Sequence, residues 1–347
     1  MVYDERLGNL IPPYGGGHDR NGFRNDFVPD KADIVAIGDS QTYGLNATRG
    51  DSWPKALERI SGLKTYNMGL GGYGPVQYNE LVDDALKLSP KIIVVGLYFG
   101  NDIYDAYRMV YTNQRYASYR NPKAGDELLV DNIAHEYQKF GYGLNYTWKD
   151  WLLSNSAVFS FINHRMVHLF KRFGLIPVDE SFHRAKLWAE THPEYGLVYD
   201  DGNVQRVFTP AYRLLALNLN DPRIAEGMRI TKDMMLRMQD KVRRKGVFLI
   251  ILLIPTKELV YVDDVPPERM NKSFKLLVEM EEKAREQIIQ FCDENDIYWI
   301  DALPGLKINR RKSIYLTNVD GHPTSEGYFV IAKIVYDKLV ELGIIEK

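Results

Sequence analysis

The sequence predicts an α/β fold in which one five-stranded parallel sheet is sandwiched between layers of helices. Runs such as KIIVVGLYF (91–99) and GVFLIILLIP (246–255) are continuously apolar and β-branched instead of alternating, as in strands covered on both faces. Along the chain such runs take turns with helical periodicity, and helices on both faces of a parallel sheet satisfy that order. With 347 residues, 45% of them apolar and 26% charged, the chain can bury the large core this architecture needs. No internal repeat or low-complexity tract interrupts it, so residues 1–347 read as a single domain.

Residues 1–32 are rich in Gly, Pro, Asn and Asp, which suits an extended surface arm better than a packed element. Strands are then expected at 33–38, 64–68, 91–98, 246–254 and 297–301. Helical patterns fall near 52–61, 76–88, 222–244, 273–294 and 324–342. A parallel crossover needs only about a dozen residues, yet the segment from Ile103 to about Asn220 lies between the third and fourth strands. It reads as an insertion with helical stretches such as 148–174. Leaving from the carboxyl end of the third strand, it is expected to lie over the site as a lid or substrate wall. Its tyrosines, among them Tyr104, Tyr107, Tyr111, Tyr116, Tyr119, Tyr137, Tyr142 and Tyr146, read first as packing residues. A role in stacking on sugars or lining an acyl groove is the alternative.

Bulk charge narrows the partners. A formal net charge of -2 supplies no field to gather polyanions, so nucleic acid is not expected. The single cysteine, Cys292, excludes an internal disulfide and any thiolate cluster, and its helical context suggests a buried, inert thiol. No basic segment followed by an apolar one marks a secretory signal at the N-terminus, and the longest apolar run, Val247–Ile254, is too short to span a bilayer. Two compartments stay open: the cytoplasm, or outside it if an anchor precedes Met1.

The chemistry begins at DIVAIGDSQTYG (33–44), where a buried strand breaks at Gly38 and delivers Asp39 and Ser40 into a turn. Either residue can cap the next helix. The sharper possibility is that Ser40 is a nucleophile at the carboxyl edge of the sheet, where open α/β folds bind ligands. A serine nucleophile needs a base, a group to orient it, and donors for the oxyanion. His322, in NVDGHPTSEGY, stands in a loop that Pro323 and Thr324 close by opening a helix. The remaining histidines, His18, His135, His164, His168, His183 and His192, lie in the arm or the insertion. Asp320 can accept the Nδ1 proton of His322, and it is equally a turn-former in Asp-Gly. Candidate donors are the glycines of YNMGLGGYGP (66–75) and the side-chain amide of Asn101 in YFGND.

Two rival motifs are weaker. Gly69, Gly71 and Gly74 fit G-x-G-x-x-G, but after the second strand and without an acidic residue placed for a ribose, so no dinucleotide cofactor is expected. His164 and His168 stand four apart on an expected helix. Arg165 occupies the position where H-E-x-x-H would carry its glutamate, so no metal is expected either.

GDSQT (38–42), NMGLGG (67–72), GND (100–102) and DGH (320–322) together resemble the four ordered blocks of SGNH (GDSL-type) hydrolases, with the insertion outside them. The resemblance implies a flavodoxin-like three-layer sandwich. It further implies Ser40 as nucleophile, His322 as base, and oxyanion donors on Ser40, Gly72 and Asn101. The segments NGFRND (21–26) and IPTKE (254–258) also resemble bacterial members with long insertions. Two departures stand out: Gln41 replaces an apolar residue after the serine, and the acid's usual place three before the histidine is Val319, leaving Asp320 to act from two residues away. The implied activity is hydrolysis of O-acyl esters, on small molecules or carbohydrate. An acyltransferase using the same acyl-enzyme and a non-catalytic carbohydrate-binding protein on the same scaffold are the alternatives.

Overall fold

A computed structural model describes residues 1–123, Gly125, Leu128, 180–202 and 204–346. In chain order its strands are the hairpin β1 (Val2–Asp4) and β2 (Gly8–Leu10), then β3 (Ile34–Gly38), β4 (Thr65–Gly69) and β5 (Ile92–Tyr98). A second hairpin, β6 (Leu197–Asp200) and β7 (Gln205–Phe208), precedes β8 (Phe248–Ile254) and β9 (Tyr298–Asp301). Five of these pair in parallel in the order β4-β3-β5-β8-β9. Counting sheet strands alone, that is 2-1-3-4-5, the flavodoxin-like order, which reverses between β3 and β5. Each expected strand is present within one or two residues of its predicted bounds.

Because side chains on a strand alternate in direction, each apolar run feeds two cores. Val35, Ile37, Ile93, Val95, Ile251 and Leu253 face one layer, formed largely by α3 (Pro75–Leu86), α7 (Pro222–Arg243) and α9 (Lys272–Glu294). Ile34, Ala36, Ile92, Val94, Ile250 and Leu252 face α2 (Trp53–Ser61) and α11 (Ser325–Glu341) on the other side, with the short α10 (Leu303–Ile308) packed on α11. Cys292 lies buried in the first layer, and burial pushes its thiol up to about 12, which keeps it protonated.

One row of glycines shapes the carboxyl edge. Gly38 is in register with Gly69 on one side and Gly96 on the other. The short helix α1 (Ser40–Tyr43) lies across them. A Cβ on Gly38 would stand 2.1 Å from Thr42 Oγ1, one on Gly69 2.4 Å from the Tyr43 nitrogen, and one on Gly96 2.6 Å from Thr42 Oγ1. The bare backbone therefore lets α1 settle on the strand ends and fixes the height of Ser40. Gly38→Ala should cost about 1–3 kcal/mol through overpacking and lower turnover with it. Urea unfolding and ester hydrolysis measured on the same sample check both.

The N-terminal residues differ from the expected surface arm. Asp19 and Asn25 are buried, as are Leu7 and Phe23. Asn25 treats the edge strand β4 as a partner strand would: its Oδ1 accepts the Asn67 N–H at 3.1 Å and its Nδ2 donates to the Asn67 carbonyl at 2.9 Å. Arg24 donates to the carbonyls of Gly44 (2.8 Å) and Ala47 (2.9 Å), tying the segment to the loop after α1. Asn67 at the sheet edge thus has both backbone groups paired, which blunts the edge at that point.

Of the segment expected as an insertion, α4 (Asp102–Thr112) packs on α3 and α7, and α6 (Pro210–Leu217) packs on α4 and α9. Tyr104, Tyr107 and Tyr116 are buried there, with the Tyr107 and Tyr111 rings stacked at 4.8 Å. α5 (Glu180–Thr191) and the β6–β7 hairpin complete its described part. His135, His164, His168, Tyr137, Tyr142, Tyr146 and the helical stretch expected at 148–174 lie outside the described residues.

Beyond β8 the chain turns through α8 (Lys257–Val260), N-capped by Thr256. Glu281 of α9 accepts the Thr256 N–H at 2.8 Å and its hydroxyl proton, and burial pushes the Glu281 carboxyl up from 4.5 to about 7. The folded state therefore holds this proton to higher pH than the unfolded chain does, so the group subtracts stability as pH rises from about 4.3 to about 7. Glu281→Gln, which keeps an acceptor and carries no charge, should gain stability relative to wild type between pH 4.5 and 7.5. Urea midpoints at the two ends of that window provide the measurement.

Candidate active site

Ser40, Asn101 and His322 come from three distant segments, and the sheet order brings them to one place. Ser40 follows β3 and Asn101 follows β5, the two strands that flank the reversal of strand order, where a crevice opens beyond the strand ends. His322 reaches the same crevice from the loop before α11. All three line a cleft of about 370 Å³ with Tyr98, Tyr104, Asp105, Arg108 and Arg213.

The hydroxyl and the imidazole are in contact: Ser40 Oγ lies 2.7 Å from His322 Nε2. Asp320 Oδ1 lies 2.7 Å from His322 Nδ1 and also accepts the His322 backbone N–H at 2.8 Å. A carboxylate at Nδ1 fixes the proton there and leaves Nε2 with the lone pair that faces Ser40. Burial alone would raise the Asp320 carboxyl, but the hydrogen bond and charge of His322 and the amide of Asn46, which donates to Oδ2 at 2.9 Å, hold it well below the usual carboxylate range.

Ser40 opens α1, so its backbone N–H is one of the first-turn donors with no intrahelical acceptor. Asp39 caps that turn by accepting the Gln41 N–H at 2.8 Å, and its Oδ2 lies 3.3 Å from Ser40 Oγ, a longer alternative to the 2.7 Å contact with His322. The glycine loop passes alongside: a Cβ on Gly71 would stand 3.7 Å from the Ser40 Cβ, and Gly72 adopts a φ of 82°, open to glycine and strained for other residues. The Asn101 amide donates to Asp105 Oδ2 at 2.7 Å, with a longer 3.4 Å contact to Asp102 Oδ1.

Three buried carboxyl groups, Asp39, Asp102 and Asp105, crowd this corner. Desolvation raises Asp39 to about 6, against the Gln41 N–H and the His322 charge. It also raises Asp102 well above the usual carboxylate range, with Asp39 adding to the effect, and raises Asp105 against the pull of Arg108 and Asn101.

Several supporting residues carry no signal that sequence alone singles out. Asn46 has a φ of 69°, a left-handed turn from which it reaches Asp320 across the fold. The Gln41 amide approaches the Gly321 carbonyl at 3.4 Å, so this departure from an apolar residue touches the histidine loop itself. Asn67 holds the end of α1 through the Thr42 carbonyl at 2.9 Å. Beyond His322 a second cleft, about 420 Å³, is lined by Trp188, Ala185, Val319 and Arg184, and Tyr212 and Arg213 border both. His18 bonds the Gly15 carbonyl and the Tyr43 hydroxyl, and His192 packs on Trp188; neither lines these two clefts. Among the described residues no three His, Cys, Asp or Glu side chains are grouped to hold a metal ion, and no helix is long and apolar enough to cross a membrane.

No protein-family model matches the chain, and no curated protein matches it in sequence. Solved structures similar to it include a member of the lipolytic protein G-D-S-L family from Veillonella parvula. That pair is 11% identical with a TM-score of 0.39, over 88% of this chain and 96% of the other. A carbohydrate acetylesterase family member from Sinorhizobium meliloti is 11% identical with a TM-score of 0.40, over 89% and 98%. A GDSL-like lipase from Bacteroides thetaiotaomicron is 10% identical with a TM-score of 0.37, over 89% and 88%. All three pairs are low in identity and in TM-score.

Proposed function

We propose that the chain is an SGNH-type serine ester hydrolase that cleaves O-acyl esters through an acyl-enzyme on Ser40. The continuous line from Ser40 Oγ through His322 to Asp320, with both links at 2.7 Å, carries this reading. His322 Nε2 takes the hydroxyl proton as Oγ attacks the ester carbonyl, while Asp320 steadies the imidazolium that forms. The tetrahedral oxyanion is held by the backbone N–H groups of Ser40 and Gly72 and by Asn101, which releases its long contact to Asp102 to offer its second amide proton. The proton on Nε2 then passes to the departing alkoxide oxygen and the alcohol leaves; water attacks the acyl-enzyme with His322 again as base, and as the second tetrahedral intermediate collapses the C–Oγ bond breaks, Nε2 returns its proton to Ser40 Oγ and the carboxylic acid is released.

The alcohol is placed on the His322 side, since Nε2 must reach its oxygen. The cleft with Trp188 and Tyr212 lies there, and ring faces of this kind suit a carbohydrate. The acyl group then occupies the cleft at Asn101 and Tyr104, whose volume of about 370 Å³ favours a short chain, with Tyr104, Arg108, Tyr212 and Arg213 as its wall. A screen of acetylated sugars against longer acyl esters tests this. Preference for the acetyl esters is expected; a folded protein inert toward all of them and toward aryl acetates would favour the carbohydrate-binding alternative. Adding an acceptor sugar during turnover distinguishes transfer from hydrolysis by the product formed.

A further inference from the structure

We propose that Lys257 is a positioning residue whose side chain holds the loop Leu316–Asp320 so that Asp320 and His322 meet Ser40. The IPTKE segment otherwise has no part in the chemistry, and its lysine is unusual. Lys257 is only 1% exposed, and among the described residues no carboxylate lies within ion-pair distance of its ammonium. Its Nζ instead donates to backbone carbonyls: Leu316 at 2.8 Å, Asn318 at 2.5 Å, Val207 at 3.2 Å, with Asp320 at 3.4 Å. An ammonium has three protons, and most of what it offers goes to alternate residues of one loop.

Other contacts hold that loop as well: Asn46 donates to Asp320 Oδ2 at 2.9 Å, and Val319 packs against Phe182 and Ala185. Val207 of β7 donates its N–H to the Thr317 carbonyl at 2.8 Å, and the Asp320 N–H donates to Asn318 Oδ1 at 3.0 Å. Lys257 therefore sits where β7 and the loop converge, with the Phe208 ring 5.7 Å away. The lysine's own base is rigid. Thr256 caps α8, Glu281 receives the Thr256 donors, and Glu258 accepts the Thr209 N–H at 3.0 Å. Desolvation lowers the ammonium to about 7, opposed by Glu258 and Asp320 and assisted by Arg206 and Arg213. A buried cation is costly; spent on these carbonyls, it fixes the backbone on which the acid and the base are mounted.

The consequence for turnover rests on the esterase reading, so the test has two readouts. One is aryl acetate hydrolysis; the other is the far-downfield proton resonance of the His322 Nδ1–H···Asp320 bond, which reports placement whether or not the protein hydrolyses esters. Misplacing a reacting group by about 1 Å can cost about 100-fold. Lys257→Met, of similar length and without donors, should lower kcat roughly 100-fold with KM within about threefold, and should lose that resonance. Lys257→Gln, which restores two donors, should recover part of both. A folded Lys257→Met that keeps the resonance overturns the proposal, whether kcat is retained or falls together with a proportionate rise in KM. If the methionine variant does not fold, Lys257→Gln is judged against wild type by the same criteria. If wild type hydrolyses no ester, the esterase reading fails and the resonance alone decides the role of Lys257.

Discussion

Ser40→Ala is expected to lose at least about 10⁴-fold in kcat toward an aryl acetate, and to lose all labelling by a fluorophosphonate, while melting close to wild type. The size of the effect follows from what the residue does in the proposed reaction: among the described residues Ser40 Oγ is the hydroxyl bonded to His322 Nε2, and without it the imidazole has only water to activate. Residual catalysis would come from the oxyanion donors and from binding. Stability should change little, because the Ser40 hydroxyl is only half-buried and the cap of α1 is Asp39, not Ser40. Equal labelling of wild type and variant would remove Ser40 from the mechanism and leave the 2.7 Å contact with His322 as a structural hydrogen bond.

The framework of this site was legible because it depends on local patterns. Continuous apolar, β-branched runs marked β3, β5 and β8, and the alternation with helical patterns placed β4 and β9; Gly-Asp-Ser, Gly-Asn-Asp and Asp-Gly-His each fall directly beyond a strand or before a helix, so their loops had to lie at the carboxyl edge or close to it. What pattern could not disclose were pairings across long stretches of chain. Asn25 on Asn67, Asn46 on Asp320 and Lys257 on Asn318 join residues far apart in sequence. In sequence each of these Asn residues looks like any turn residue, which is why the first 32 residues read as a loose arm. The β6–β7 hairpin and α4 were hidden differently: they fall in a segment whose bounds were set by the distance between two strands, and a helix that continues the core there looks the same as one that begins an insertion. Gln41 was legible as a departure, but its contact with Gly321 required the fold.

Asp320→Asn is the sharpest test of the remaining assignment, since the acid stands two residues before the histidine instead of three. The short spacing works because one oxygen does two tasks: Oδ1 accepts both the ring Nδ1–H and the main-chain N–H of His322, an Asx-type turn closed onto the imidazole. Oδ2 is committed to the Asn46 amide. An asparagine cannot meet all of these demands. With its oxygen toward His322, its NH₂ faces the Asn46 NH₂; with its NH₂ toward His322, it stabilises the tautomer whose Nε2 carries a proton and cannot accept one from Ser40. A loss of about 10⁴-fold in kcat at neutral pH is expected, the scale seen when a triad carboxylate becomes an amide. Val319, at the three-residue position, packs in a small apolar cluster with Phe182 and Ala185, and Val319→Ala should stay within a few-fold of wild type. Because the folded Asp320 carboxyl titrates below its unfolded value, its contribution is complete above about pH 4 and is lost only as pH falls through the depressed value. The acid limb of the wild-type pH–rate profile should therefore not be set by Asp320. Full activity in Asp320→Asn would leave His322 oriented by the loop backbone alone and would reduce the site to a Ser–His dyad.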